Sequence, residues 1–219
     1  MKIMALKLAI ASILGYNKNM IYTIGYAGAD INRFVQILQD KQIDILIDVR
    51  SIPKSKYFCQ FDNTSLSKTL MNVKIKYQNW SYEFGAKQYR LDFYADGIFD
   101  YEKFAKSQQF LKGVEKIKDL VNQNKNICLM CAEIDPIICH RAILIGKELF
   151  ARGLELEHII AKRNGETLLE NQKDFEKRLM FTTKINNLSE AYRKQNKKNR
   201  LQTNLIISWS VKFKVNHIV

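Results

Sequence analysis

The stretch CAEIDPIICHR, Cys131 to Arg141, gathers two of the chain's four cysteines, one of its three histidines, two acids and an arginine. Three chemistries suit such a set. Thiolates and an imidazole are ligands for a transition metal. Two cysteines can form a redox dithiol. A thiol and acid beside unpaired N–H groups at a helix start make a reactive pocket for anions. Spacing discriminates among them. Cys128 and Cys131 lie three apart on a predicted strand and so point to opposite faces. Cys139 and His140 are neighbours on a predicted helix and diverge by roughly 100°. Four converging ligands are not expected, and this reading assigns no metal and no cofactor. A Cys131–Cys139 pair is geometrically open but lacks the close spacing of thioredoxin-type motifs. The pocket fits best: Asp135 is placed to cap a helix, and Pro136 at its first position costs no hydrogen bond. There the helix start and Arg141 are expected to lower the Cys131 thiol pKa, while strand burial silences Cys128.

The elements that must position these groups alternate regularly. MIYTIGY (20–26) is a strand running into Gly25 and Gly28, and Asp30 caps a helix carrying Ile31, Phe34, Val35 and Leu38 at helical spacing. IDILIDV (43–49) is an almost continuous apolar run, as in a strand buried on both faces. LSKTLMNV suits a short helix, IKYQNW (75–80) a third strand, and 101–123 a long helix. NICLMC (126–131) is a fourth strand, 136–152 a helix ended by Gly153, LELEHII (154–160) a fifth strand, and TLLENQKDFEKRLM a closing helix. Such βαβ alternation predicts an α/β fold: a mostly parallel open sheet with helices on both faces, a Rossmann-like three-layer sandwich. Sites in such sheets lie beyond the carboxyl ends of the strands. Those ends deliver Gly25 and Tyr26, then Asp48, Arg50 and Ser51, then Cys131 and Glu133.

Charge is distributed unevenly. The net charge is +13, but residues 182–219 hold eight Lys and Arg against one acid, and residues 1–19 hold three Lys and no acid. Residues 20–181 are thus expected to form the domain, with an N-terminal extension (1–19) and a basic C-terminal extension (182–219). SWSVKFKV near the end alternates like a strand. The basic ends read either as a nucleic-acid contact or as a solvated surface. No apolar run approaches the length of a membrane span, and four cysteines in 219 residues suit a reducing cytoplasm better than a secreted scaffold.

Several motifs, in order, carry a resemblance. TIGYAG with Phe34 downstream, DVRSIPKSK followed by QF, Tyr77 followed by EFGAK, and MCAEIDPIICHR followed by ARGLELEHI together resemble the domain of unknown function 488 family over about residues 21 to 160. EFGAK departs from the family's usual turn, leaving Lys87 as the basic residue, and Lys56 stands where Arg is common. Both keep the charge and lose bidentate reach. The resemblance implies the fold and the place of the site, not a reaction.

Two functions follow as expectations. One is an enzyme acting on an anionic, nucleotide-like or nucleic-acid substrate. Cys131 would be its nucleophile, Glu133 its general acid or base, and His140 and Asp48 would converge with them. Arg50 and Arg141 would clamp the anion, helped by Tyr26, Ser51, Lys56 and Lys87. The other is a binding module that holds such a ligand without turnover, its aromatics in YQNWSYEFGAKQYRLDFY stacking bases. Three plainer readings stay beside these. Cys128 is a core residue, His158 an ordinary strand-end histidine, and Asp48 and Arg50 pair with each other.

Overall fold

The computed structural model describes residues 20–55 and 57–199. Lys56, the N-terminal extension and the SWSVKFKV segment lie outside them. Five parallel strands stand where the sequence predicts them: β1 (Ile21–Gly25), β2 (Ile45–Asp48), β3 (Lys76–Asn79), β6 (Ile127–Cys131) and β7 (Leu156–Ala161). A two-stranded hairpin, β4 (Tyr94–Ala95) and β5 (Ile98–Phe99), sits apart from the sheet and turns at Asp96 and Gly97, both with positive φ. The sheet order is β3-β2-β6-β1-β7-β8, in which β8 (Thr167–Asn171) pairs antiparallel with β7. A helix was expected over this last segment. Instead the chain reverses at Asn164–Gly165, where Gly165 has a φ of +93°, and pairs back along β7 before the helix begins at Gln172.

Helices cover both faces. Helices α1 (Ile31–Asp40) and α2 (Asn63–Asn72) close one core with Tyr22, Ile24, Leu46, Cys128 and Met130. Asp30 caps α1, accepting from the N–H groups of Asn32 and Arg33 at 2.9 and 3.0 Å. On the other face lie α4 (Tyr101–Ala105), α5 (Gln108–Asn122), α6 (Lys147–Phe150) and α7 (Gln172–Thr183) over Ile45, Ile47, Ile127, Leu129 and Cys131. A further short helix, α3 (Ser81–Phe84), packs Phe84 against Phe110 of α5. The long helix expected over 101–123 is two, because the Ser107 hydroxyl caps α5 through the Phe110 N–H. The three-layer α/β architecture is as predicted.

Two departures bear on the site. The expected helix over 136–152 is broken. A single 3-10 turn, Pro136–Ile138, is capped by Asp135 through the Ile137 N–H at 2.9 Å. Cys139 is then extended (φ −120°, ψ 136°), and a wider π-helical stretch, Arg141–Gly146, leads into α6. All six residues of that stretch are buried. The second departure is the domain end. Helix α8 (Leu188–Lys198), expected to belong to a peripheral extension, puts Ala191 and Tyr192 into the same core as α7.

Candidate functional site

The parallel register aligns the carboxyl ends of β1, β2 and β6. Gly25 pairs with Cys131, and Asp48 with Met130. The loop after β6 crosses directly over the end of β1. A Cβ on Gly25 would stand 1.7 Å from the Glu133 carbonyl oxygen, so only glycine permits the crossing. The Ala27 N–H donates to the Ala132 carbonyl and stitches the two loops together.

A cleft of about 260 Å³ opens at this edge. Its walls include Tyr26, Arg50 and Ser51 from the first two strand ends, Lys54 and Lys87 from the following loops, and Cys131, Glu133 and His140 beneath. Seven of the residues expected at the site thus meet there. Lys54, Tyr101 and Asn199 also line it and were not foreseen. Lys54 lies in the basic loop after β2, a signal present in the sequence. Tyr101 and Asn199 come from distant helical segments and carried none.

Arg141 and Asp48 do not line the cleft, which corrects their expected roles. The Arg141 side chain is fully buried. Its guanidinium donates to the Glu133 carbonyl (2.5 Å), the Ile134 carbonyl (2.9 Å) and the Thr23 hydroxyl (3.3 Å). It anchors the loop carrying Glu133 and cannot form the second jaw of an anion clamp with Arg50. Asp48 is also fully buried, and its carboxylate receives the Arg50 backbone N–H and guanidinium and the Tyr77 hydroxyl. It orients Arg50 and has no access to a substrate, so the simple Asp48–Arg50 pair is what forms. Arg50 also donates to the Phe61 carbonyl at 2.8 Å and lies over the Tyr26 ring at 5.1 Å. Its Nη1 is buried without a hydrogen-bond partner among the described residues. Burial works against its charge, but Asp48 more than offsets this and holds its pKa above the ordinary guanidinium value. Ser51 Oγ accepts the Lys87 N–H at 2.8 Å, tying the EFGAK loop to the end of β2.

Beneath the cleft a sulfur-rich cluster forms. Cys128 points into the opposite core, as its spacing predicts, and burial pushes its thiol up. The expected divergence of Cys139 and His140 is not found. Because Cys139 is extended and His140 begins the next turn, the ligand atoms of Cys131, Cys139 and His140 all lie within 4.8 Å of one another. Cys131 Sγ stands 3.7 Å from His140 Nδ1, and the thiols of Cys131 and Cys139 approach Glu133 Oε2 at 2.9 and 3.0 Å. The other ring nitrogen, His140 Nε2, is 2.9 Å from the Val49 carbonyl. A carbonyl only accepts, so Nε2 carries the proton and Nδ1 faces the sulfurs.

The electrostatics overturn the expected lowering of Cys131 and place it on Cys139 instead. Burial, then the neighbouring Cys139 and Glu133 groups, push the Cys131 pKa well up. Burial also opposes a Cys139 thiolate, but the Cys131 hydrogen bond and the Arg141 and His140 charges outweigh it and bring Cys139 well down. The short 3-10 turn before Cys139 supplies little helix field, so the Cys131 hydrogen bond, followed by the Arg141 charge, sets the order. Burial, then Cys139, raises Glu133. His140 is raised too, because Cys139 and Glu133 overcome its burial.

A polar chain absent from the sequence reading supports Arg141 from behind. Arg141 Nε donates to Thr23 Oγ1, and that hydroxyl lies 2.8 Å from His158 Nδ1. His158 Nε2 is 2.9 Å from Gln172 Oε1, Gln172 Nε2 donates to Tyr192, and the Tyr192 hydroxyl donates to Glu176. His158 is therefore a neutral, buried link and not an ordinary strand-end residue.

Among the described residues no helix is long and apolar enough to cross a membrane. No curated protein and no solved structure matches the chain. One family model does match, over residues 30–147, more than half of the 219 residues and spanning β2, β6 and the Cys131–Arg141 segment. The ends of β2 and β6, the buried Asp48–Arg50 pair and the cysteine-rich loop all lie inside that match, and the chain belongs to the domain of unknown function DUF488 family.

Proposed function

We propose that this chain is an enzyme acting on an anionic, nucleotide-like or nucleic-acid substrate in the cleft at the carboxyl edge of its sheet. One observation carries the reading: a single cleft joins the basic groups Arg50, Lys54 and Lys87 to Cys131, Glu133 and His140. Lys54 and Lys87 are exposed and free to meet a phosphate, while Arg50 presents the rigid charge behind them. Ser51 and Tyr26 complete the anion wall. The sulfur and imidazole groups form the reacting centre, and Glu133, held against both sulfurs, carries protons to and from it. Arg141 and Asp48 position this machinery without touching substrate.

A thermal-shift series with nucleotides, oligonucleotides and inorganic phosphate tests the reading. A specific ligand at about 100 times its dissociation constant should stabilise the protein by about 2.7 kcal/mol. Lys87→Ala should weaken that effect. Cys131→Ala should keep binding and lose any turnover of the same ligand. A series with no stabilising anion, or equal stabilisation of the wild type and a Lys54→Ala/Lys87→Ala variant, would sink the proposal.

A further inference from the structure

We infer that Cys131 Sγ, Cys139 Sγ and His140 Nδ1 form a three-ligand site for a zinc-type divalent metal, with its fourth position open to the cleft. The inference deepens the proposed function, in which these groups are the reacting centre.

The distances fit. Zinc bonds of about 2.3 Å to sulfur and about 2.05 Å to nitrogen at a tetrahedral angle place sulfur and nitrogen about 3.6 Å apart. The structure places Cys131 Sγ and His140 Nδ1 at 3.7 Å, with Cys139 Sγ inside the same 4.8 Å group. The three side chains come from a strand end, an extended residue and the start of a π-helical stretch, and their convergence requires the break at Cys139.

The second shell also fits. A metal-bound histidine commonly donates its other N–H to a carbonyl or carboxylate, which fixes its tautomer. His140 does this through Nε2 to Val49, leaving the Nδ1 lone pair aimed at the sulfurs. Thiolate and imidazole together are a soft set that suits zinc over magnesium or calcium.

Charge is consistent as well. Arg141 makes no salt bridge among the described residues, and its partners are a hydroxyl and two carbonyls. Two thiolates and the Glu133 carboxylate would balance a divalent cation together with this guanidinium. Glu133 Oε2, at 2.9 and 3.0 Å from the sulfurs, is closer than the roughly 3.6 Å of a tetrahedral oxygen ligand. It is therefore placed to withdraw slightly and accept a proton from water at the open position. Cys131, Glu133 and His140 all line the cleft, so that position faces the substrate side. Three protein ligands and one open position are the arrangement of a catalytic zinc site, whereas structural sites are closed by four.

The test uses the full chain, reduced and stripped with a chelator, then titrated with Zn²⁺ against a chromophoric competitor and separately with Co²⁺. One equivalent should bind, and the Co²⁺ form should show thiolate-to-metal charge-transfer bands with the intense visible bands of a tetrahedral site. Cys139→Ser and His140→Asn should each weaken Zn²⁺ binding by roughly 100-fold or more, whereas Cys128→Ser should leave it unchanged. Circular dichroism of each stripped variant separates ligand loss from unfolding. Absence of stoichiometric binding to folded wild type, a Co²⁺ spectrum without thiolate bands, or equal effects of Cys128→Ser and Cys139→Ser would overturn the inference. If zinc does not bind while nucleotides still stabilise the protein, the metal site falls and the substrate reading stands. Zinc binding without any anion effect supports the metal site and sinks the substrate reading.

Discussion

Protonation of His158 is a perturbation whose size follows from the structure. The ring is fully buried between Thr23 and Gln172, with Phe175 edge-on at 5.1 Å. Burial, then the Arg141 charge, pushes its pKa down to about 3, and Arg178 adds to this. The Gln172 hydrogen bond and Cys139 act the other way without prevailing. In the unfolded chain the same ring titrates near 6.5. Between these values the unfolded state binds a proton that the folded state refuses, so stability is fully present above about pH 6.5 and falls as the pH drops. The slope approaches about 1.4 kcal/mol per pH unit, and the loss from pH 7 to pH 5 integrates to roughly 2 kcal/mol. Urea unfolding of the wild type and His158→Gln at pH 7, 6 and 5 measures it. The variant loses packing and starts lower, but its stability should decline less over this range by about that amount. His140 and the carboxylates titrate in both proteins and cancel in the comparison. Parallel pH profiles for the two would refute the neutral, buried link described here.

Two further outcomes test the scaffold. Gly25→Ala drives a methyl into the Glu133 carbonyl at 1.7 Å, so the loop over β1 must shift; a loss of about 2 kcal/mol, or a fall in Tm of roughly 4–8 °C, is expected by calorimetry, and an unchanged Tm would contradict the close crossing. Truncation after Phe181 removes Ala191 and Tyr192 from the core together with the hydrogen bond to Gln172, and should cost about 3–5 kcal/mol in chemical denaturation; an unchanged midpoint would return α8 to the status of a peripheral extension.

What could be read from the sequence followed from local rules. The parallel strands are legible because a strand covered on both faces must be apolar nearly throughout, as ILID and ICLMC are. The opposite facing of Cys128 and Cys131 follows from the two-residue period, and the Asp30 and Asp135 caps follow from short side chains ahead of apolar runs. Even β8 had a local sign in Asn164–Gly165, which outweighs the helix-friendly residues behind it. The stretch from Pro136 to Phe150 had none. A proline cap and an apolar run look the same whether an α-helix or a broken 3-10 and π path follows. The consequence for the site was large, because a continuous helix would separate Cys139 from His140.

Arg141 shows why a site residue can be assigned to the right place and the wrong task. An arginine beside a reactive cysteine reads naturally as an anion ligand, since arginine is rarely buried without a partner. Here its acceptors are two carbonyls of its own loop and a threonine from β1, more than a hundred residues earlier in the chain. Thr23 can accept from Arg141 because its hydroxyl hydrogen is directed to His158, and His158 can receive it because Gln172 takes the proton on the opposite nitrogen. Each link fixes the direction of the next, so the chain exists only when β1, β7, α7 and α8 are all docked. No segment of sequence contains that requirement. Its consequence at the cleft is that the β1–β7 packing and the Glu133 loop share one buried guanidinium. A change at Thr23 or His158, far from any substrate, should therefore be felt first as a displacement of Glu133 from the two sulfurs.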